Sequence, residues 1–284
     1  MNHTAILLIS CPDRCGIVAA VTSFLRENDG NIIDLEQHVD FEEGIFFMRL
    51  QWSLEGFRIP AERFAGEFQK VSEPFGMHWS LRYPDQRQRI AVFVTREAHC
   101  LYDLLARFES GEWNAEIAMI LSNREELRPA AERFGIPFHV FPISPDNKME
   151  QENAEIRLLE EERADLIVLA RYMQILSGRF IDRFPHRIIN IHHSFLPAFA
   201  GARPYHAAYQ RGVKIIGATS HYVTENLDEG PIIEQDVVRV SHRESVEELV
   251  RRGKDVEKIV LARAVAAHLE HRILAYANRT VVFG

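Results

Sequence analysis

Residues 190–192 combine an amide and an imidazole at a spacing suited to carbonyl chemistry. Asn190 and His192 follow the apolar pair Ile188 and Ile189, and as alternate residues of an extended segment they point to one face. An amide N–H and a titratable imidazole are suitable donors to the oxyanion that forms when a carbonyl is attacked. The same short pattern also occurs at ordinary strand-to-loop corners, where polar groups cap the backbone, so alone it does not establish a site.

A carboxylate that could complete such a site lies further along the chain, in residues 226–231. Asp228 stands between Asn226 and the Gly230-Pro231 pair, which by itself is an ordinary turn composition. The segment before it, Gly217 to His221, is a strand pattern of small residues that would let a flat ligand approach the backbone closely. Taken alone, each of these pieces has a simple structural explanation.

The elements that must bring these segments together fall into two parts, and residues 1–83 form the first. Short apolar or alternating runs and two helical stripes follow in the order strand, helix, strand, strand, helix, strand. In the second strand, residues at alternate positions are less polar than their neighbours, which predicts that they share one face: Ile33, Leu35, Gln37 and Val39. This order predicts a ferredoxin-like βαββαβ domain with both helices on one face of its sheet.

Residues 89–284 form the second part, and the polar stretch 84–88 predicts a linker before it. Short, nearly all-apolar runs such as Ile90 to Val94 alternate with helical patterns, which is typical of strands buried on both faces. We therefore predict an α/β domain with a doubly wound, mostly parallel, Rossmann-type sheet, whose site lies at the carboxyl ends of the strands. A long helical pattern then runs from about Ser245 to about His271.

Composition and charge narrow the classes of function. The 284 residues include 33 Lys and Arg against 41 Asp and Glu, and the net charge of −8 argues against a general nucleic-acid binder. No apolar run approaches the roughly 18 residues of a membrane span, and no basic region precedes the first apolar stretch. The sparse, odd set of Cys11, Cys15 and Cys100 suggests a reducing compartment. We predict a cytoplasmic protein with neither a nucleic-acid nor a membrane partner.

Several segments together resemble the folate-dependent formyltransferase family in residue type, order and spacing, over roughly residues 88–284. They are Asn190 to His192, Ser194 to Pro197, Gly217 to His221, Leu227 to Pro231, and Ala170 to Ser177, the last being similar to the family's pterin-pocket segment. Residues 171–174, 192–197 and 201–206, with the domain in front, resemble the branch of this family that hydrolyses its folate substrate.

The resemblance implies a reaction and the residues that perform it. The reaction would be hydrolysis of 10-formyltetrahydrofolate to formate and tetrahydrofolate, supplying formate for purine biosynthesis, with no metal and no cofactor. The catalytic residues implied are Asn190, His192 and Asp228, with His221 supporting Asp228. The substrate-binding residues implied are Arg171, Met173, Gln174, Ile175, Leu176 and Ser194.

Residues 95–99 depart from the family members that formylate a phosphorylated ribonucleotide amine. Those members carry a small-residue Gly-Ser-Asn loop after the first strand, whereas this chain has Glu97 and no glycine there, so a phosphate would be repelled. Losing the amine acceptor leaves water, which is hydrolysis. Transfer of the formyl group to an amine, binding of folate without catalysis, and a zinc hydrolase remain alternatives. The histidines available to zinc, His192, His193, His206 and His221, lack the spacing of a strong zinc motif.

Residues 13–18 and 30–33 resemble an ACT domain, which implies regulation by a small amino acid such as glycine or methionine. The implied effector-binding residues are Asp13, Gly16, Ile17 and Asn31. The turn entering a helix offers free N–H groups to a carboxylate, while Asp13 and Asn31 could bind an ammonium group. The alternative is that Asp13 caps the helix and Gly16 relieves crowding at its start. ACT-like sheets often pair edge to edge, so we also predict a homo-oligomer.

Overall fold

The computed structural model describes residues 3–198 and 204–284, and its chain divides into two compact units. The first unit comprises the described residues up to Gln86 together with Glu270–Leu274 and Val281–Gly284, and the second comprises the rest. The domain bounds expected from the sequence, 1–83, 84–88 and 89–284, assign the whole C-terminus to the second domain, and they remain a prediction. Residues 201–203 of the family-like segment 201–206 lie outside the described residues.

The first unit is an antiparallel sheet of four strands in the order β2-β3-β1-β4. Its elements are β1 (Thr4–Pro12), α1 (Ile17–Glu27), β2 (Asn31–Asp40), β3 (Ile45–Ser53), α2 (Ala61–Ser72), a 3₁₀ turn (Glu73–Phe75) and β4 (His78–Arg82). The core joins both helices to the sheet through Phe24, Phe64, Phe68 and Trp52, whose rings lie 5.3–5.8 Å apart in the closest pairs. The predicted βαββαβ order is confirmed.

One position of β2 differs from simple alternation. A β-bulge between Ile32 and Asp34 shifts the register against β3. Ile32 therefore packs against the core with Leu35 and Val39, while Ile33 is 52% exposed. The prediction that Ile33 shares a face with Leu35 is wrong because the extra residue turns the chain before the regular strand begins.

The second unit contains a sheet of seven strands in the order β11-β10-β9-β8-β5-β6-β7. Its elements are β5 (Gln88–Val94), α3 (His99–Glu109), β6 (Ala115–Ser122), α4 (Arg128–Arg133), β7 (Phe138–Val140), α5 (Lys148–Glu161), β8 (Leu166–Leu169), α6 (Gly178–Arg183), β9 (Ile188–His192), α7 (Pro204–Arg211), β10 (Ile215–Tyr222), β11 (Ile232–Arg239) and α8 (Val246–Leu269). Strands β5 to β9 pair in parallel, whereas β10 and β11 join antiparallel at one edge. The predicted mostly parallel sheet is confirmed.

The direction in which strands are added reverses at β5. The chain runs outward from β5 to β6 and β7, then returns to β8 on the other side of β5. This topological switch opens a crevice at the carboxyl ends of the central strands, where ligands of doubly wound sheets bind. Thr95 after β5, Arg171 after β8 and Asn190 in β9 lie at these ends, and the Met173 amide donates to the Thr95 hydroxyl across 3.1 Å.

The C-terminus forms a hairpin that the sequence pattern does not predict. Helix α8 ends at Leu269, and β12 (Ile273–Tyr276) and β13 (Arg279–Val282) follow as a two-stranded sheet. Ala277 occupies the turn with a positive φ of 46°. Among the described residues, no helix combines the length and apolarity that crossing a bilayer requires.

Candidate active site

Neighbouring positions of β9 and β10 bring Asn190 and His221 together. The antiparallel register places His221 opposite Asn190 and Thr219 opposite His192. The Asn190 Nδ2 atom lies 3.3 Å from His221 Nε2, and His221 Nδ1 lies 2.9 Å from the carbonyl oxygen of Tyr222. Because a carbonyl oxygen can only accept, His221 Nδ1 carries a proton, and these contacts fix the ring against the strand.

Asp228 reaches the same place from the loop that joins β10 to β11. Its Oδ2 lies 3.1 Å from His192 Nδ1, and its Oδ1 lies 3.6 Å from His221 Nε2. Burial would raise the pKa of the Asp228 carboxyl, but hydrogen bonding and charge from the two imidazoles outweigh it and hold that pKa well below its ordinary value. Asp228 is therefore ionised at neutral pH.

His192 has one ring nitrogen in use and one without a partner. Its Nδ1 contacts Asp228, whereas its Nε2 is buried and has no hydrogen-bond partner among the described residues. A buried polar atom left unpaired costs about 1–3 kcal/mol, so such atoms are expected where a ligand completes the bonding. His192 also lines the cavity next to it, which makes Nε2 a candidate contact for a reacting group.

The residues predicted for catalysis and most of those predicted for substrate binding line one cavity of about 800 Å³. They are Asn190, His192, Asp228 and His221, together with Arg171, Met173, Gln174, Ile175 and Leu176. A volume in this range accommodates an organic ligand of several rings. Met173 and Ile175 are each about half exposed, so apolar surface is available to such a ligand.

Ser194 is the predicted substrate-binding residue that the structure does not bring to this cavity. It is buried and is not among the described residues of the cavity wall. Its carbonyl oxygen accepts a 2.9 Å hydrogen bond from the Thr219 hydroxyl, which also accepts from the Leu196 amide at 3.0 Å. These bonds join the backbone at Ser194 and Leu196 to Thr219 of β10, and the buried Ser194 hydroxyl has no hydrogen-bond partner among the described residues.

The wall also contains residues that the sequence analysis did not assign to substrate binding. His193 lies beside His192, with ring centroids 5.2 Å apart, and Asn278 reaches the wall from the C-terminal hairpin. The position of His193 beside His192 in the sequence could have indicated that it lines the cavity, although strand alternation predicts that the two side chains point to opposite faces. No sequence feature indicated Asn278, because Asn is a common residue in short turns.

A second carboxylate–imidazole cluster lies in the same unit around Glu257. Its Oε2 is 2.8 Å from His99 Nε2 and 3.4 Å from Arg171 Nε, and its Oε1 accepts a 2.6 Å bond from the Tyr205 hydroxyl. Burial opposes ionisation, but His99 and Arg171 outweigh it and lower the pKa of Glu257. The possible ligand atoms of His99, Cys100 and Glu257 lie within 4.8 Å of one another. The adjacent Arg171 guanidinium makes this donor set a poor fit for a divalent cation.

Glu97 lies in the loop that follows β5, the 95–99 segment that contains no glycine. It pairs with Lys254 Nζ at 2.5 Å, and this bond is the main reason that the pKa of Glu97 is lowered. The ion pair occupies Lys254, the cation beside this loop.

The four predicted effector residues surround the start of α1 and of β2. Asp13 and Asn31 are exposed, Ile17 is buried, and Gly16 is the N-cap of α1 with a positive φ of 96°. No side chain caps α1, so the alternative of an Asp13 cap is wrong. Relief of crowding does not explain the glycine at position 16, since a Cβ there would meet nothing within 4 Å. The left-handed φ explains it, because glycine adopts this conformation without a steric penalty. Effector binding remains a prediction.

Comparison with known proteins identifies both units. An ACT domain model matches residues 5–70 and a formyl transferase model matches residues 88–265. The chain is 54% identical over 282 residues to formyltetrahydrofolate deformylase from Synechocystis sp., covering 99% of each chain. The crystal structure of a formyltetrahydrofolate deformylase from Pseudomonas syringae pv. tomato matches with a TM-score of 0.97 and 48% identity, covering 100% of this chain and 95% of that one.

Glycinamide ribonucleotide transformylase 1 from Symbiobacterium toebii is similar over a smaller part of the chain. Its structure matches with a TM-score of 0.67 and 30% identity, covering 72% of this chain and 98% of that one. The deformylases instead match over nearly the full length, through the ACT domain as well as the formyl transferase domain. The chain therefore belongs to the formyltetrahydrofolate deformylase family.

Proposed function

We propose that this chain hydrolyses 10-formyltetrahydrofolate to formate and tetrahydrofolate, with water as the acceptor of the formyl group. The observation that carries the proposal is the contact between Asp228 and His192 Nδ1, which leaves His192 Nε2 unpaired at the wall of a cavity of about 800 Å³. The names of the relatives give it independent support.

The costly species in this reaction is the tetrahedral oxyanion formed when water adds to the formyl carbon. We assign His192 Nε2 and the Asn190 amide as the two donors to that oxyanion. Both side chains line the cavity, and each is held from behind, His192 by Asp228 and Asn190 by His221. A fixed donor of this kind lowers the barrier by about 3 kcal/mol, because it is already oriented when the charge develops.

Asp228 orients the attacking water and stabilises the charged form of His192. Its lowered pKa makes it a weak base toward free water, so it takes the water proton only as the C–O bond forms and the water becomes acidic. The proton then passes to N10 as the C–N bond breaks. One water is consumed, and one formate, one tetrahydrofolate and one proton are released.

The pterin ring is proposed to lie along the segment that follows β8. Met173, Ile175 and Leu176 give this side of the cavity an apolar surface, and backbone groups of the segment can pair with the polar edge of the ring. Arg171 and Gln174 are proposed as further substrate contacts in the same wall.

Water is favoured over an amine acceptor because of the residues that follow β5. Glu97 is bonded to Lys254 and so occupies this cation, and residues 95–99 contain no glycine whose backbone could close around a phosphate. A phosphorylated amine of the kind named for the Symbiobacterium toebii neighbour therefore has no phosphate cradle there. The ACT domain supports regulation by a small amino acid, and we propose glycine or methionine as the effector at Asp13, Gly16, Ile17 and Asn31. We further propose a cytoplasmic homo-oligomer that needs no metal or other cofactor and supplies formate for purine biosynthesis.

The test is an assay of formate release from 10-formyltetrahydrofolate by purified full-length chain in amine-free buffer. We expect one formate for each tetrahydrofolate, the same rate with added glycinamide ribonucleotide, and a changed rate with added glycine or methionine. Binding of folate without formate release would contradict hydrolysis, and formylation of the added amine would favour the transferase. Addition of EDTA is expected to leave the rate unchanged, whereas a loss restored by Zn²⁺ would indicate a metal enzyme.

A further inference from the structure

The geometry points to Asn278, at the tip of the C-terminal hairpin, as a positioning residue that holds the catalytic loop carrying Asp228. This inference rests on the proposed function, since it concerns how Asp228 is kept in place for that reaction. Asn278 lies beyond residues 88–265, which the formyl transferase model matches, so the similarity of that domain does not assign it a role.

Asp228 needs to be held because its backbone is strained. Its φ is +57°, in the left-handed region that residues with a Cβ seldom adopt. Such a conformation persists only where the surroundings over-determine it. If the contacts around the loop were lost, the Asp228 backbone would return to a negative φ. That change would move the Asp228 carboxylate away from His192 Nδ1, which lies 3.1 Å from it.

Strand β10 supports one side of this loop. The Tyr222 amide donates a 2.9 Å hydrogen bond to the Pro231 carbonyl. A Cβ on Gly230 would lie 1.8 Å from the Tyr222 carbonyl oxygen, so the loop backbone is in close contact with the strand. These contacts fix residues 230 and 231, which follow Asp228, while the Glu229 amide donates a longer 3.4 Å bond to the Asn226 carbonyl within the loop.

The hairpin binds the loop from another direction. Asn278 Nδ2 donates a 2.7 Å hydrogen bond to the carbonyl of Glu229, the residue directly after Asp228, and the Thr280 hydroxyl donates to the Ile232 carbonyl. Asn278 also lines the catalytic cavity. Because Glu229 directly follows Asp228, the amide of Asn278 restrains the residue next to the strained one.

The chain offers variants that separate this donor from mere bulk. Asn278→Asp keeps the size of the side chain but, when ionised, has no N–H to donate, whereas Asn278→Gln keeps the amide. Asn147→Asp is the matched control, because Asn147 Nδ2 also donates to a backbone carbonyl, that of Pro142 at 2.9 Å, in a loop outside the cavity wall.

The experiment measures kcat and KM for formate release across pH, together with amide hydrogen exchange of residues 224–232. We expect Asn278→Ala and Asn278→Asp to lower kcat about tenfold with little change in KM, and to speed exchange about tenfold, the scale of one hydrogen bond. The acid limb of the kcat-against-pH profile of these two variants should move to higher pH, since the pKa of Asp228 rises toward the ordinary aspartate value when its carboxylate lies farther from His192. Asn278→Gln should stay within about threefold of wild type, as should Asn147→Asp.

Equal exchange rates in wild type and Asn278→Ala would overturn the inference, and so would a loss of kcat without any shift of the acid limb. A matching loss in Asn147→Asp would also overturn it, because the effect would then be general. If the wild-type chain releases no formate, the proposed function fails, and the exchange measurement alone decides whether Asn278 holds the loop.

Discussion

Two carboxylates of the second unit each contact a histidine, and they differ in whether that histidine lines the cavity. Asp228 contacts His192 and His221, its side chain is 18% exposed, and the far nitrogen of His192 has no partner among the described residues. Glu257 is 1% exposed, and its two oxygens are shared between His99, Arg171 and the Tyr205 hydroxyl.

The comparison teaches that residue types alone do not make a site. Both clusters combine a carboxylate with an imidazole that has one unpaired ring nitrogen among the described residues, but of the two imidazoles only His192 lines the cavity. In the Glu257 cluster the bonding capacity of the carboxylate is used within the protein. It pairs with Arg171, whose φ of +64° is also left-handed, and so it fixes the start of the segment proposed for pterin binding.

Removing the charge of Asp228 should have a greater effect on kcat than the other substitutions. Asp228→Asn keeps the size of the side chain but cannot take a proton or stabilise a charged His192, so we expect kcat to fall about 10³-fold. Folate binding, measured by fluorescence titration with tetrahydrofolate, should change little. Near-full turnover by this variant would remove Asp228 from the mechanism.

The same change in the Glu257 cluster should affect stability before catalysis. Glu257→Gln removes the carboxylate charge that Arg171 and His99 contact in a buried place, so we expect a loss of about 3 kcal/mol in the free energy of unfolding. Urea unfolding measures it, and kcat of the folded variant should fall far less than in Asp228→Asn. Unchanged stability with a hundredfold loss of kcat would reverse the assignment of the two clusters.

Glu155 is a third carboxylate that sharpens the contrast, because it is buried without a cation. One oxygen lies 3.3 Å from the Tyr172 hydroxyl and the other has no partner among the described residues. Burial raises the pKa of Glu155 to about 8. Because the pKa of Glu155 is raised in the folded chain, the free energy of unfolding falls as pH rises above the pKa that this carboxyl has in the unfolded chain. Glu155→Gln should therefore be about 2 kcal/mol more stable than wild type at pH 9. Urea unfolding should give the two proteins similar free energies of unfolding at pH 4. If these free energies changed with pH to the same extent in both proteins, the result would contradict a raised pKa of Glu155.

Asp228 should show the opposite and smaller pH dependence of stability. Its pKa is lowered in the folded chain, so its contribution is present above the unfolded value of about 3.9 and disappears as pH falls through the folded one. Wild type should therefore exceed Asp228→Asn by about 1 kcal/mol at pH 6, and the difference should shrink below pH 4. A difference that is the same at pH 3 and pH 6 would mean that no pairing with His192 exists.

The sequence predicted what depends on local pattern. Alternation along one strand placed Asn190 and His192 toward the same site, and the all-apolar runs of the second unit predicted its parallel sheet. The pairing of β9 with β10 that brings His221 to Asn190 was within reach only through the family resemblance.

What depends on distant parts of the chain was not predicted. The bulge that turns Ile33 outward, the left-handed backbone of Asp228 and the Glu257 cluster each arise from tertiary contacts that leave no local pattern. Residues 99, 171, 205 and 257 meet only once four separate elements have packed. The hairpin with Asn278 was missed, although the apolar run Ile273–Tyr276 was a signal for its first strand.

The most direct test of the account is the fate of oxygen when 10-formyltetrahydrofolate is hydrolysed in H₂¹⁸O by the full-length chain. If water is the acceptor of the formyl group, a new C–O bond forms at the formyl carbon, so mass spectrometry should find one ¹⁸O in each formate made in a single turnover. Formate without ¹⁸O, or a formyl group recovered on an amine, would contradict the account.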